Sequence, residues 1–261
     1  MTEKATRLYP LPPREVPAGE IYADLELPPP GRKDPSRPYV IINMVASVDG
    51  KIAIEGKSSR IGSETDRRAM RTLRSKADAA MIGANTLRAE KLSLSLDAPA
   101  GGRQPLAIIV SRTGNVPLKS NLVGYERQSV LVVTTEAGPK NPASSLCDSA
   151  RLLRAPTTPS GDVDWDNALM ILQYEYSVEV LLVEGGPSLN HSLVSKNLVD
   201  ELFLTLAPKL LGGTRSGILT LLEGPGFSPS KSLKADLVSV YFSDDELYLR
   251  YCFEHPGGIE R

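Results

Sequence analysis

Residues Val178 to Leu193 read VEVLLVEGGPSLNHSL. Val178 to Val183 is an apolar, β-branched-rich run of strand length. Glu184-Gly185-Gly186 interrupts it, and Pro187-Ser188-Leu189 opens a pattern with apolar residues at Leu189, Leu193 and Val194. This order predicts a buried strand, a glycine turn and a helix start. Two adjacent glycines let a backbone approach a ligand closely. A following helix N-terminus aims free N–H groups and partial positive charge at the same place. A phosphate is the natural guest, while a plain strand-to-helix connector is the other reading.

The remaining chain repeats the pattern. Tyr39 to Val48 (YVIINMVASV) is a near-continuous apolar run, as expected of a central parallel strand buried on both faces, and Asp49-Gly50 ends it. Ser63-Glu64-Thr65-Asp66 looks like a cap and acidic first turn of a helix running to about Lys76. Further strands are expected at Ala79–Ile82, Leu106–Val110 and Val130–Thr134, around Leu152-Leu153, and over Asp200–Leu206. Helical pieces are expected at Thr86–Glu90 and Trp165–Tyr174. Leu237–Phe242 and Glu246–Phe253 flank Ser243-Asp244-Asp245 and predict an antiparallel hairpin. The fold class is therefore α/β: a mostly parallel central sheet, helices on both faces, and a C-terminal antiparallel hairpin. Residues 1–37 are proline-rich and read as an N-terminal arm that is partly ordered through Tyr9, Ile21, Tyr22, Leu25 and Leu27. Residues 38–255 form the main domain and 256–261 a tail.

Composition narrows the function. The 261 residues carry a net charge of −1, so no basic field recruits nucleic acid or an anionic membrane. Cys147 and Cys252 form no CxxC. His191 and His255 sit in no metal-type spacing, so no metal is expected. No apolar run approaches the roughly 18 residues of a membrane span and no secretory leader is apparent, so a cytoplasmic location is expected. A small-molecule substrate fits this balance.

Ligands of such sheets bind beyond the carboxyl ends of the strands. Four turns leave strands there with polar chemistry: Ser47-Val48-Asp49-Gly50-Lys51, Ile82-Gly83-Ala84-Asn85-Thr86, Ser111-Arg112 and Glu184-Gly185-Gly186. Each alone has an ordinary turn or packing explanation. Together they would surround one crevice with two glycine turns, carboxylates, an ammonium and a guanidinium. No GxGxxG follows the first strand, so a dinucleotide would be held by separate turns.

Four segments carry a resemblance in this order: RPYVIINMVASVDGKIA, SRIGSETDRRAMRTLRSKADAAMIGANTL, LLVEGGPSLNHSLV and VDELFLTLAPKLLGG. They resemble the reductase domain of the riboflavin-biosynthesis family over about residues 38 to 253. The resemblance implies a dihydrofolate-reductase-like fold, NADPH as cofactor and a homodimer. The implied reaction reduces a phosphoribosylamino-pyrimidine by hydride transfer to C1′ of its ribose, which opens to a ribityl chain. It implies Gly83, Thr86, Gly185, Gly186, Ser188 and Leu189 on the cofactor, with Ser111, Arg112 and Thr134 on its adenosine side. Asp49, Lys51 and Glu184 are implied at the reaction centre, and Asn43, Ser47, Ser58 and Arg74 on the substrate. The family's D-D-P-x-L-T-x-R run is replaced here by Arg88-Ala89-Glu90-Lys91-Leu92-Ser93-Leu94-Ser95-Leu96-Asp97. Arg74, Arg88 or Lys91 could compensate on the substrate phosphate. A folate-like or other heteroaromatic substrate, or a catalytically silent NADPH-binding protein, are the alternatives. The fused zinc deaminase of bifunctional members has no counterpart in the N-terminal arm.

Overall fold

The computed structural model describes residues 3–32, 34–54, 57–90, 93–97, 99, 102–116, 128–136, 150–213, 219–228 and 232–254. Lys91, Cys147 and His255 lie outside them. Strand β3 (Tyr39–Ser47) shows why the sheet is layered: Val40, Ile42, Met44 and Ala46 enter one apolar cluster, Tyr39 and Ile41 another. An alternating strand that is apolar on both sides must be covered on both sides.

The strands following the N-terminal segment are β3, β4 (Ala79–Gly83), β5 (Leu106–Val110), β6 (Val130–Thr135), β7 (Ala150–Ala155), β8 (Val180–Val183), β9 (Glu201–Ala207), β10 (Ala235–Ser243) and β11 (Glu246–Phe253). Two more, β1 (Lys4–Tyr9) and β2 (Arg14–Pro17), precede them. The described residues build one sheet in the order β2-β1-β10-β11-β9-β3-β8-β4-β5-β6-β7. From β9 to β7 every pairing is parallel, and from β9 to β2 every pairing is antiparallel. Helices α1 (Glu64–Ser75) and α2 (Ala84–Glu90) cover one face, and α3 (Trp165–Tyr176) and α4 (Pro187–Val194) cover the other. The α/β class, the mostly parallel sheet and the antiparallel strands at one edge agree with the sequence pattern.

The proline-rich arm is more ordered than its composition predicts. β1 pairs with β10 through Thr6 opposite Phe242 and Arg7 opposite Tyr241, so the C-terminal hairpin is not the outermost element. The prolines do not obstruct this. Pro17 ends the outer strand β2, where a missing N–H costs no ladder bond, and Pro10, Pro12 and Pro13 lie in the connection. Beyond β2, Ile21 and Tyr22 are fully buried against Ala69 and Leu73 of α1 and against Phe203, Tyr241 and Tyr248. The Tyr22 ring meets Phe203 edge-on at 4.9 Å and Tyr241 at 5.6 Å. The segment is thus a lid on the core. Arg37 then anchors it, pairing with Asp200 at 2.8 and 2.9 Å, while Asp200 also accepts from the Val40 amide.

The antiparallel wing presents apolar rows on the α3/α4 side. The register aligns Leu202 with Tyr251 and Leu237, Leu204 with Leu249 and Val240, and Leu206 with Leu247 and Phe242. Leu237 and Phe242 remain 38% and 39% exposed.

If the N-terminal segment is core rather than tail, Ile21→Ala, which empties a fully buried position, should cost about 2–5 kcal/mol. Urea unfolding measures this. A loss below about 1 kcal/mol, the range of surface changes, would show the segment to be peripheral.

Candidate active site

The crevice opens where the sheet's chain path reverses. β8 inserts between β3 and β4, and its last residue hands over to the glycine turn. Gly83 closes β4 and donates its N–H to the Gly185 carbonyl at 2.9 Å, so the two glycine turns are locked together. Gly185 has φ of +88°, a left-handed conformation that favours glycine. A Cβ on Gly186 would lie 2.5 Å from the Thr86 hydroxyl, and a Cβ on Gly83 would lie 3.4 Å from the Gly186 nitrogen. Gly185 is thus required by its backbone conformation and Gly186 by its closeness to Thr86, while a Cβ at Gly83 would make only ordinary contact. Gly186 caps α4 with Pro187 at its first position, leaving the Ser188 and Leu189 N–H groups without partners inside the helix. α2 begins immediately after Gly83, so two helix N-termini converge on this point.

A cavity of about 1220 Å³ runs across these turns. That exceeds the ~300–1,000 Å³ of an ordinary ligand pocket and suits a dinucleotide beside a second molecule. At the glycine turns it is lined by Gly83, Thr86, Gly185, Gly186, Ser188 and Leu189, and its wall also includes Ser111 and Arg112. Arg112 is mostly exposed and only loosely paired with Asp162, at 3.6 Å. On the other side stand Asn43, Ser58, Arg74, Arg88 and Glu184.

Several expected site residues are placed elsewhere. Asp49 and Lys51 are not on the cavity wall. The Asp49 carboxylate accepts from the Ser47 hydroxyl at 2.6 Å, the Leu211 amide at 3.1 Å and the Gly212 amide at 2.6 Å. Those bonds, Ser47's first, hold its pKa down to about 2, which makes it a poor proton donor. Its work is to tie the β3 turn to the loop after β9. Ser47 is itself fully buried in that tie. Lys51 bridges Thr220 through its backbone. Thr134 is buried behind the wall, donating to the Arg112 carbonyl at 3.2 Å. Lys91 lies outside the described residues.

Arg74 also departs from its expected role on the substrate. Its Nε and Nη2 grip both oxygens of Glu184 at 2.8 and 2.7 Å. Nη2 also reaches the Met70 sulfur, and Nη1 reaches the carbonyls of Ser93 and Ser95. The guanidinium's five donors are thus committed inside the protein. Burial opposes the Arg74 charge, but the field and hydrogen bonds of Glu184 outweigh it and hold its pKa above the ordinary value. Expected on the ligand, Arg74 and Glu184 neutralise one another.

The structure adds wall residues that the sequence reading did not single out. Asp66, Arg67 and Met70 precede Arg74 on the same side of α1. Their spacing of eight, seven and four residues before Arg74 was the available signal. Glu90 accepts from the Ser58 amide and hydroxyl at 2.8 and 3.0 Å, fastening the short Ser58–Arg60 turn to α2. Lys209 fastens the same turn from behind through the carbonyls of Arg60 and Ile61. The wall also includes Thr158 and Ser160 before α3 and Trp165 at its first position, for which no sequence motif gave notice. Among the described residues no helix is long and apolar enough to cross a membrane.

Residues 38–247 match the family model of the RibD C-terminal domain. A 2,5-diamino-6-ribosylamino-4(3H)-pyrimidinone 5′-phosphate reductase of Aquifex aeolicus (strain VF5) is 35% identical over 204 residues, 76% of this chain and 88% of that protein. The enzyme of that name from Methanothermobacter thermautotrophicus is 31% identical over 219 residues, 82% of this chain and 98% of its own. A solved pyrimidine reductase-like protein from Corynebacterium diphtheriae superposes with a TM-score of 0.71 at 23% identity, covering 92% of this chain and 100% of that one. A locked pair of glycine turns at the carboxyl end of a parallel sheet, with a match that spans the whole sheet from β3 into β11, makes this chain a member of the RibD C-terminal domain family.

Proposed function

We propose that this protein is an NADPH-dependent reductase of 2,5-diamino-6-ribosylamino-4(3H)-pyrimidinone 5′-phosphate, the substrate in the name of its relatives, acting in riboflavin biosynthesis. The observation that carries the reading is the Gly83–Gly185 lock beneath two helix N-termini, in a cavity with room for two ligands. The Ser188 and Leu189 N–H groups would receive the pyrophosphate, and Arg112 the adenosine 2′-phosphate, which suits a guanidinium fork. The cofactor's nicotinamide supplies a hydride; the chain's task is to bind, orient and exclude water. With Arg74 committed to Glu184 and Arg112 assigned to the cofactor, the cations of the described wall that remain for the substrate phosphate are Arg67, Arg88 and Lys196. The apolar rows of β9, β10 and β11 support a homodimer built by stacking this face on a second copy.

NADPH oxidation followed at 340 nm with the diamino-pyrimidinone phosphate tests the reaction. Oxidation with dihydrofolate alone would replace the substrate, and tight NADPH binding without turnover of either would replace the activity. Gly186→Val should weaken NADPH binding at least tenfold, about 1.4 kcal/mol, because the added side chain displaces Thr86 from the turn. Unchanged affinity in a folded variant rejects the phosphate-turn reading. Arg112→Ala should raise the Kd for NADPH while leaving that for NADH nearly as it was; equal loss for both removes the 2′-phosphate assignment. Phe242→Glu should convert the dimer to a monomer by light scattering, and a variant that still dimerises rules out this face.

A further inference from the structure

Hydride addition at C1′ forms a C–H bond and breaks C1′–O4′. The bonding pair passes to O4′, which then needs one proton. We propose that Asp66 is the acid that delivers this proton, as a catalytic residue at the α1 wall of the cavity. The assignment rests on the reductase reading above.

Five carboxyl groups line the cavity among the described residues: Asp66, Glu90, Asp162, Glu184 and Glu223. Four are committed elsewhere. Glu184 is gripped by Arg74, Glu90 by Ser58, Glu223 by the amide and hydroxyl of Thr220 at 2.8 and 2.9 Å, and Asp162, largely exposed, accepts from the Ser160 hydroxyl at 3.0 Å. Asp66 has a hydroxyl neighbour in place of a fixed cation: Thr205 of β9 donates to it. The chain also makes room for it. A Cβ on Gly62 would fall 2.2 Å from the Asp66 Oδ2, and Gly62 does not have the left-handed backbone that would otherwise explain a glycine. Any side chain at position 62 would push the carboxyl from its place on the wall.

The surroundings of Asp66 favour its protonated form. The groups that face it are Arg67 on its own helix, Glu246 and Tyr248 of β11, Thr205 of β9, and Tyr22 of the N-terminal segment. Burial acts first and raises its pKa; the Thr205 hydroxyl and Arg67 lower it, and Glu246 raises it. Glu246 is fixed close by, accepting from the Ser63 amide and hydroxyl and from Tyr248 at 2.6 Å. The net result is a carboxyl pushed up to about 6. A donor in this range is protonated often enough to act near neutral pH. Asp49, by contrast, is held down to about 2. After transfer, the Asp66 carboxylate recovers its proton from water.

An acid must be protonated to act, so the wild-type kcat should fall about tenfold per pH unit above a midpoint near 6. Asp66→Asn should lower kcat by about 10²–10⁴-fold and flatten that limb, with NADPH affinity within about twofold of wild type. A carbon-13 carboxyl titration of the whole protein should show a midpoint near 6 that is missing in Asp66→Asn. Should that variant fail to fold, Thr205→Val removes the hydroxyl donor and should move both the limb and the carboxyl midpoint to higher pH. An Asp66 carboxyl titrating near 4, a full kcat and unchanged limb in Asp66→Asn, or a Thr205→Val profile that does not move would each overturn the assignment. A wild type that binds NADPH but never reduces the pyrimidine would overturn the reaction itself, whereas turnover undiminished in Asp66→Asn would overturn Asp66 alone.

Discussion

The buried ion pair between Arg74 and Glu184 holds the two halves of the crevice in register. Its side chains are 5% and 7% exposed and meet at 2.7 Å. Glu184 is the residue between β8 and the glycine turn; Arg74 stands in the last turn of α1 and also clasps the carbonyls of Ser93 and Ser95. One guanidinium thus fixes strand, helix and loop at a single point. Such a pair contributes little net stability over an apolar pair of like volume, because desolvating two charges offsets most of their attraction. What it supplies is uniqueness of geometry. Removing either partner would leave a charge buried and the glycine turn without its lateral support.

Around that point the cavity divides by material. The wall at the glycine turns is mainly backbone: Gly185 with its left-handed φ, Gly186 without room for a Cβ, and N–H groups at helix starts. Backbone positions are set by the sheet, so this wall tolerates little variation. The opposite wall is made of side chains from α1, α2 and the Ser58–Arg60 turn, held by contacts such as Glu90 to Ser58 and Lys209 to Arg60. Side chains can be exchanged without moving the sheet.

Much of the fold was legible because burial on two faces writes an unbroken apolar run, as in β3 and β8, and no other element of that length does so. The glycine turns were legible because closeness demands glycine. The N-terminal strands were obscured by their prolines, which count against strands in general but not at an edge or in a connection. The misplacement of Asp49 has a similar cause. Asp-Gly after a strand marks both a reactive turn and a structural one, and only the positions of the Leu211 and Gly212 amides, more than 160 residues away, decide between them. Arg74 read as a ligand-binding cation because its partner, 110 positions distant, cannot be inferred from spacing. Asp66 went unnoticed because it serves equally well as an acidic residue in a helix's first turn.

The pairing of β1 with β10 has a consequence for how the chain is assembled. The Ser243 hydroxyl bonds the Lys4 carbonyl across 239 positions. A ribosome extrudes the β1 segment long before β10, the strand that receives it. Until β10 has emerged, the edge of β1 that faces it has no strand to pair with, and loop closure over such a span is entropically costly and slow. The β1–β10 pairing therefore forms only after nearly all of the intervening sheet has been made.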